Sequence, residues 1–385
     1  MKDLSIYFQN FGQPPSDLTN EQVGKKMVVN SEASFSDPAK NSIAILFVPE
    51  YRNSTLETSK AYIQEIRERF YCLFAGDWDV SVFDMGVIEP GGSPEDTYSA
   101  VKDVVTELVK NGVIPVVIGG SQDLTYPIYQ GYESLEQTVN ILDVDAKIDL
   151  GNHESPITNE SWLSHILTHK PSYLFNYSVL GFQSYYVSRE EVDLMSKLYF
   201  DAHRLGEFYQ NPKMVEPLVR NADIVTFDLS AIRGSDLSSN HLHSPHGFYG
   251  EDACAILRYA GLSDKLTSLG LFNFVAGDKL SFDANLVAQM LWYFVDGVSN
   301  RKRDYPIGSK GSYLKYTVSI DDFKDQINFY KSDKSSRWWM EVPYPKVQGA
   351  KFQRHLLVPC NYEDYENALK NEMPNLWWKT FEKLV

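Results

Sequence analysis

Cysteine is scarce in this 385-residue chain, which has only Cys72, Cys254 and Cys360, far apart and odd in number. That excludes a disulfide framework and suits reduced thiols in the cytoplasm. No neighbouring motif marks any of the three as a nucleophile, so each is expected to be buried as a small apolar side chain. Apolar runs long enough to span a bilayer are missing, and residues 1–10 lack the basic-then-apolar pattern of a secretory signal. Membrane insertion is therefore not expected. Basic residues are in deficit, 36 Lys and Arg against 51 Asp and Glu, and the formal charge is -15. Such a field repels phosphate backbones and anionic membranes, which argues against a nucleic-acid partner. Internal repeats and low-complexity tracts are also absent.

What is present is an ordinary globular composition, 43% hydrophobic and 23% charged, in a chain long enough for one large core or two modest ones. Residues 1–40 are polar and broken by Gly12, Pro14, Pro15, Gly24 and Pro38, and read as a leader, poorly structured or packed on the core. Short apolar runs then predict strands over 43–48, 80–84, 113–118, 138–142, 173–180, 224–227 and 267–272. Helical patterns lie between them, over 56–74, 93–110 and 283–298. Ser93-Pro94-Glu95-Asp96 supplies an N-cap, a first-turn proline and first-turn acids, and Asn111-Gly112 stops that helix. Residues 192–208 also show helical apolar spacing, which places Asp201-Ala202-His203 on a solvated helix face.

This alternation predicts a three-layer α/β domain over 41–300, with a central, mainly parallel sheet covered on both sides and ligands outside the carboxyl ends of its strands. Residues 301–385 form an aromatic-rich extension without clear alternation. Its pairs Trp338-Trp339 and Trp377-Trp378 are expected to fill a small local core.

Three predicted strand ends carry polar clusters: Gly119-Gly120-Ser121-Gln122-Asp123, Asp143 to Asp149, and Thr226-Phe227-Asp228-Leu229-Ser230. Their order and spacing resemble the ureohydrolases, the family of arginase, agmatinase and formimidoylglutamase, over roughly residues 43–300. The resemblance implies an arginase-like fold. In that family Gly-Gly-Asp-His-Ser, Asp-Ala-His-x-Asp and Ser-x-Asp-x-Asp hold two manganese ions, which activate a bridging water to attack a guanidinium or formimino carbon. Carried onto this chain, the first histidine falls on Gln122, with Ser121 at the preceding acid, and the second histidine falls on Lys147. Asp145, Asp149 and Asp228 match, while Ser230 stands at the last aspartate, so three of six ligands survive. The family's Glu-x-Asn-Pro falls on Asn273-Phe274-Val275-Ala276, without its glutamate or proline.

Lys147 weighs most. In an extended segment Asp145, Lys147 and Asp149 would share one face and converge on the pocket. Neighbouring carboxylates favour the ammonium form, which has no lone pair for a metal. At about 4 Å from a divalent cation it would be repelled by about 2 kcal/mol even in bulk water. The expectation is a salt-bridge cluster in which Lys147 is counter-ion to Asp145 and Asp149, in a protein with no resident cofactor.

The functional expectation is thus a family member without metal or hydrolase activity, acting as a binding or assembly component, as a homo-oligomer or with a protein partner. Two alternatives stay open. One is an active guanidino or formimino hydrolase using Asp145, Asp149 and Asp228 for a metal, helped by the loop histidines His241, His243 and His246. The other is a small-anion sensor using Lys147. The three imidazoles have spacing that can bind zinc or nickel, but read first as a polar turn with a pH response.

Overall fold

The computed structural model describes residues 2–56, 58–277, 279–305, 311, 313–320, 326–343 and 354–384. Strands β1 (Val28–Val29), β2 (Ile43–Phe47), β3 (Val82–Val87), β4 (Ile114–Ile118), β5 (Val139–Val144), β6 (Leu174–Phe182), β7 (Asp201–Arg204), β8 (Ile224–Asp228) and β9 (Ser268–Phe272) form one sheet. Their order is β1-β3-β2-β4-β9-β8-β5-β6-β7, and every neighbouring pair is parallel. The helices that accompany them are α1 (Val23–Lys26), α2 (Ala61–Cys72), α3 (Pro94–Lys110), α4 (Thr125–Gln130), α5 (Trp162–Thr168), α6 (Arg189–Lys197), α7 (Leu205–Gln210), α8 (Val215–Asn221), α9 (Gly250–Leu262) and α10 (Leu280–Ser299). The fold is the expected arginase-like three-layer α/β architecture.

Alternate residues of β2 serve opposite cores. Ile43, Ile45 and Phe47 pack with Tyr62, Ile66 and Phe70 of α2 and with Met290, Leu291 and Phe294 of α10. Ala44 and Leu46 pack with Val101, Val104 and Leu108 of α3 and with Ile128 and Trp162. Both faces of the strand are therefore dry, which is why it reads as a continuous apolar run instead of an alternating one. α3 starts where its cap chemistry requires: Ser93 Oγ accepts from the Asp96 amide, and the Asp96 carboxylate accepts from the Ser93 amide.

Three local expectations are corrected. Residues 192–208 are not one helix: Tyr199 takes a left-handed conformation (φ +56°) after α6, and β7 then pairs with β6 as an edge strand. Asp201 is consequently buried, and its Oδ1 accepts from Lys379 Nζ at 2.7 Å. Cys72 is exposed, because α2 buries the face bearing Ile66 and Phe70 while its last residue points outward; Cys254 and Cys360 are buried. The leader is packed on, since Leu4, Phe8, Leu18 and Val23 are buried and β1 extends the sheet beside β3.

The region after 300 does contain regular structure. Strands β10 (Tyr313–Ser319), β11 (Gln326–Ser332), β12 (Trp338–Glu341) and β13 (Leu357–Cys360) form an antiparallel sheet in that order, with helices α11 (Tyr362–Leu369) and α12 (Asn375–Leu384). Trp338, Trp339 and Trp377 are buried and Trp378 is exposed. Among the described residues, no helix is long and apolar enough to cross a membrane.

Arg220 on α8 fastens this small sheet to the large one. Its guanidinium is buried, donates to the carbonyls of Trp338 (2.9 Å) and Cys360 (3.2 Å), and lies 4.5 Å from the centre of the Trp339 ring. Glu216 balances its charge at 3.0 Å. Arg220→Ala strands both carbonyls and should cost roughly 2–4 kcal/mol, read as a lowered denaturation midpoint and as proteolytic cleavage within 301–385 before the parallel sheet is cut.

Candidate functional site at the carboxyl ends of the strands

Adjacent strands β4, β9, β8 and β5 bring their carboxyl ends together, and each delivers one polar cluster. After β4 the chain turns sharply through Gly119 (φ +87°) and Gly120 (φ +76°), where a Cβ on Gly120 would lie 2.6 Å from the Val48 carbonyl. Only glycine fits such a turn. It presents Ser121, Gln122 and Asp123 inward, all fully buried.

The side chains form one hydrogen-bonded chain through Gln122, with shorter groups at Asp145 and Asp149 beside it. Gln122 Nε2 donates to Asp143 Oδ1 at 2.8 Å, and Tyr177 OH donates to Asp143 Oδ2 at 2.7 Å. The Gln122 amide donates to Asn273 Oδ1 at 3.1 Å, and Asn273 Nδ2 donates to Asp228 Oδ2 at 2.8 Å. Asp228 Oδ1 accepts from the Ser230 amide at 2.7 Å. Trp162 Nε1 donates to Asp149 Oδ2 at 2.8 Å. Asp145 Oδ1 accepts from the Lys147 amide at 2.9 Å, while Asp145 Oδ2, Gln122 Oε1 and Ser230 Oγ are buried with no partner.

The sequence-selected side chains are thus buried together at these strand ends, with one exception. The exception is the Lys147 side chain, and the expected salt-bridge cluster is corrected. β5 ends at Val144 and the chain bends at Ala146 and Lys147, so the strict alternation of an extended segment stops before it reaches the lysine. Lys147 Nζ turns outward to Glu160 Oε1 at 2.5 Å, at the edge of a mouth cavity of about 350 Å³. There the ammonium keeps part of its hydration, which it would lose among the carboxyls.

Among the described residues the carboxyls consequently have no contact ion pair, and the Lys147 charge acts on Asp145 and Asp149 only from a distance. Burial pushes Asp143, Asp145 and Asp149 well above the ordinary carboxylate range, and they raise one another further, with Asp228 adding to all three. Burial also lifts Asp123 to about 7, against the pull of its bonds from Ser121 and Tyr98. Burial thus favours the protonated form of Asp143, Asp145 and Asp149, and donors from neighbouring elements bond Asp143 and Asp149.

Asp143, Tyr177, Trp162 and Asp123 were missed as site residues. The signal for Asp143 was available: it lies two residues before Asp145, on the same face of a strand whose apolar context marks it as buried. Nothing local in sequence points Tyr177 or Trp162 at the site. The loop histidines do not gather there; His246 faces a separate cavity beyond β6 and β7, and His243 is exposed with φ +48°.

A binuclear manganese site needs lone pairs at positions 122, 147 and 230. Here an outward ammonium replaces one imidazole, a neutral amide oxygen the other and a hydroxyl the carboxylate, so the set has lost one ligand and one negative charge and fits two divalent ions poorly. Among the described residues, no group of three or more His, Cys, Asp or Glu is placed to hold a metal.

The sequence pattern described as Arginase family matches residues 50–271. The chain belongs to the arginase family. Within it, a formimidoylglutamase from Streptococcus gordonii is 30% identical over 116 residues, 28% of this chain and 35% of that protein. The chain spans only 26%, 35% and 31% of the lengths of three curated relatives it matches. In fold, this arginase-family chain resembles formimidoylglutamase from Bacillus subtilis, with TM-score 0.65, 14% identity and coverage of 74% of this chain and 94% of that one. It likewise resembles a Trypanosoma cruzi formiminoglutamase crystallised with Mn2+, with TM-score 0.62, 15% identity and coverage of 68% and 94%.

Carboxyls raised on folding stabilise the arginase-family fold fully below their ordinary value near 3.8, and that contribution is lost as pH rises through the folded values. Asp145→Asn removes one such group, so calorimetry should show a melting-temperature gain over the parent that is small near about pH 5 and grows toward about pH 9. A Lys147 salt bridge predicts the reverse, a loss on substitution at high pH.

Proposed function

We propose that this arginase-family protein has lost the binuclear manganese centre and the C–N hydrolase activity associated with the family motifs, and serves as a binding or assembly component. One observation supports this above the others. At three positions where the family motifs call for metal ligands, the chain places the Gln122 amide, whose N–H is aimed at Asp143, the Lys147 ammonium, held by Glu160, and the neutral Ser230 hydroxyl. The ammonium has no lone pair for a cation, and Gln122 and Ser230 offer only a neutral amide oxygen and a hydroxyl where the motifs have an imidazole and a carboxylate. The remaining acids are engaged by Tyr177, Trp162 and Asn273, donors that do for a neutral or singly charged cluster what cations do for an ionised one.

A second reading has a specific observation in its favour. The buried, unpartnered Asp145 Oδ2 is an oxygen that one hard cation could take in a linear amidine hydrolase with an altered site, once Asp149 and Asp228 shift to complete a ligand group. The sensor reading has less support, because an anion at Lys147 must displace Glu160.

Elemental analysis of protein produced with ample manganese, together with assays of urea or formamide release from arginine, agmatine and formiminoglutamate, separates these readings. The proposal expects no stoichiometric metal and no release. The variant Gln122→His, Lys147→His, Ser230→Asp is expected to gain manganese affinity by titration calorimetry. Two stoichiometric manganese ions with metal-dependent release in the parent protein would refute the proposal, and one ion with release would establish the second reading.

A further inference from the structure

One feature that the carboxyl network leaves unexplained is a cavity of about 740 Å³ beyond the ends of β6 and β7. None of Asp143, Asp145, Asp149 and Asp228 lines it. Its size falls within the range of small-molecule pockets, and it sits outside the carboxyl ends of parallel strands, where open α/β sheets place their ligands.

The walls combine exposed phenol rings with uncommitted guanidinium groups. Tyr185, Tyr209 and Tyr249 line the cavity and are 64%, 41% and 42% exposed. Their orientations are nevertheless fixed. Tyr209 OH donates to the Gly247 carbonyl at 2.9 Å, Tyr185 OH donates to the Gln183 side chain, and the Tyr209 and Tyr249 rings meet edge to face at 5.9 Å. Water-facing rings pinned in this way form a preformed stacking surface, with little side-chain entropy left to lose on binding.

Both arginines on the walls lie against rings. Arg233 Cζ is 3.6 Å from the centre of the Tyr249 ring, with its Nε held by Asp236 at 2.9 Å. Arg204 Cζ is 5.9 Å from the centre of the Phe182 ring. Among the described residues, the terminal nitrogens of neither guanidinium have a hydrogen-bond partner. A guanidinium stacked by its face presents its N–H fork edgewise, the geometry that receives a carboxylate in two parallel bonds. Glu207 is the one acid among the lining residues, and it is shared with His203 at 3.5 Å. Arg233 is already paired with Asp236, so Arg204 is the guanidinium of the wall with no carboxylate partner among the described residues.

We propose that this cavity is a binding site for a small aromatic carboxylate, its ring stacked on the tyrosines and its carboxylate held by Arg204 and Arg233. The site is independent of whether the aspartate cluster holds metal. It gives a chemical class of ligand to a protein whose ancestral pocket is filled by its own donors.

Gly206 allows a clean test. It lines the cavity, and a Cβ built on it meets nothing within 4 Å, so Gly206→Leu fills the space without disturbing the packing behind it. Titration calorimetry with 4-hydroxyphenylacetate, benzoate and indole-3-acetate should show one site at millimolar ligand or below. Tyramine, the cationic analogue of the first, should give no heat. Arg204→Gln should weaken acid binding about tenfold, and Gly206→Leu should abolish it with the melting temperature retained. No heat from any of the three acids, equal binding of tyramine, or unchanged affinity in folded Gly206→Leu overturns the proposal.

Discussion

Four aspartates, Asp143, Asp145, Asp149 and Asp228, are buried together at the meeting point of the central strands, and among the described residues none of them forms a contact ion pair. An uncompensated buried carboxylate costs several kcal/mol, so the surroundings are organised to avoid that state. Burial favours the protonated form of Asp143, Asp145 and Asp149. Donors then come from neighbouring elements: Gln122 after β4, Tyr177 on β6, Asn273 after β9 and Trp162 on α5. These bonds also tie the strand ends together.

This explains how the arginase-family fold persists beside an altered donor set. The parallel sheet depends on continuous apolar strands clothed by helices on both faces, and none of that packing involves the polar ends. Chemistry at the strand ends can change while the layers stay. The small antiparallel sheet is added on the far side of this scaffold through Arg220, and through Asp223, which takes Arg354 at 2.8 Å and Lys265 at 3.5 Å. Binding surfaces then lie in loops beyond the outer strands, where the tyrosines and arginines of the large cavity collect.

Much of the scaffold was legible because double burial leaves an unmistakable trace: apolar runs such as 43–48 and 113–118 have no polar alternation, and a capping sequence such as Ser93 to Asp96 fixes a helix start. The site was legible as far as position. Gln122, Asp145, Asp149, Asp228, Ser230 and Asn273 come together as the motif order implied. The side-chain direction of Lys147 was not legible, because a strand ending at Val144 instead of Asp149 removes the period-two rule on which that inference stood. The small sheet was hidden for a related reason. Its edge strand β10 alternates irregularly between exposed and less exposed residues, and its partners follow antiparallel.

The central claim is that protons, and neither Lys147 nor a metal, neutralise the buried aspartates. Carbon-13 NMR of protein labelled at aspartate side-chain carboxyls, followed from about pH 5 to about pH 9 with and without added manganese, tests it most directly. The account predicts that the signals assigned through Asp143→Asn, Asp145→Asn and Asp149→Asn titrate well above the ordinary aspartate range and are not broadened stoichiometrically by manganese. Ionised carboxylates at these positions across the whole range, or stoichiometric broadening of all three signals by manganese, would contradict it.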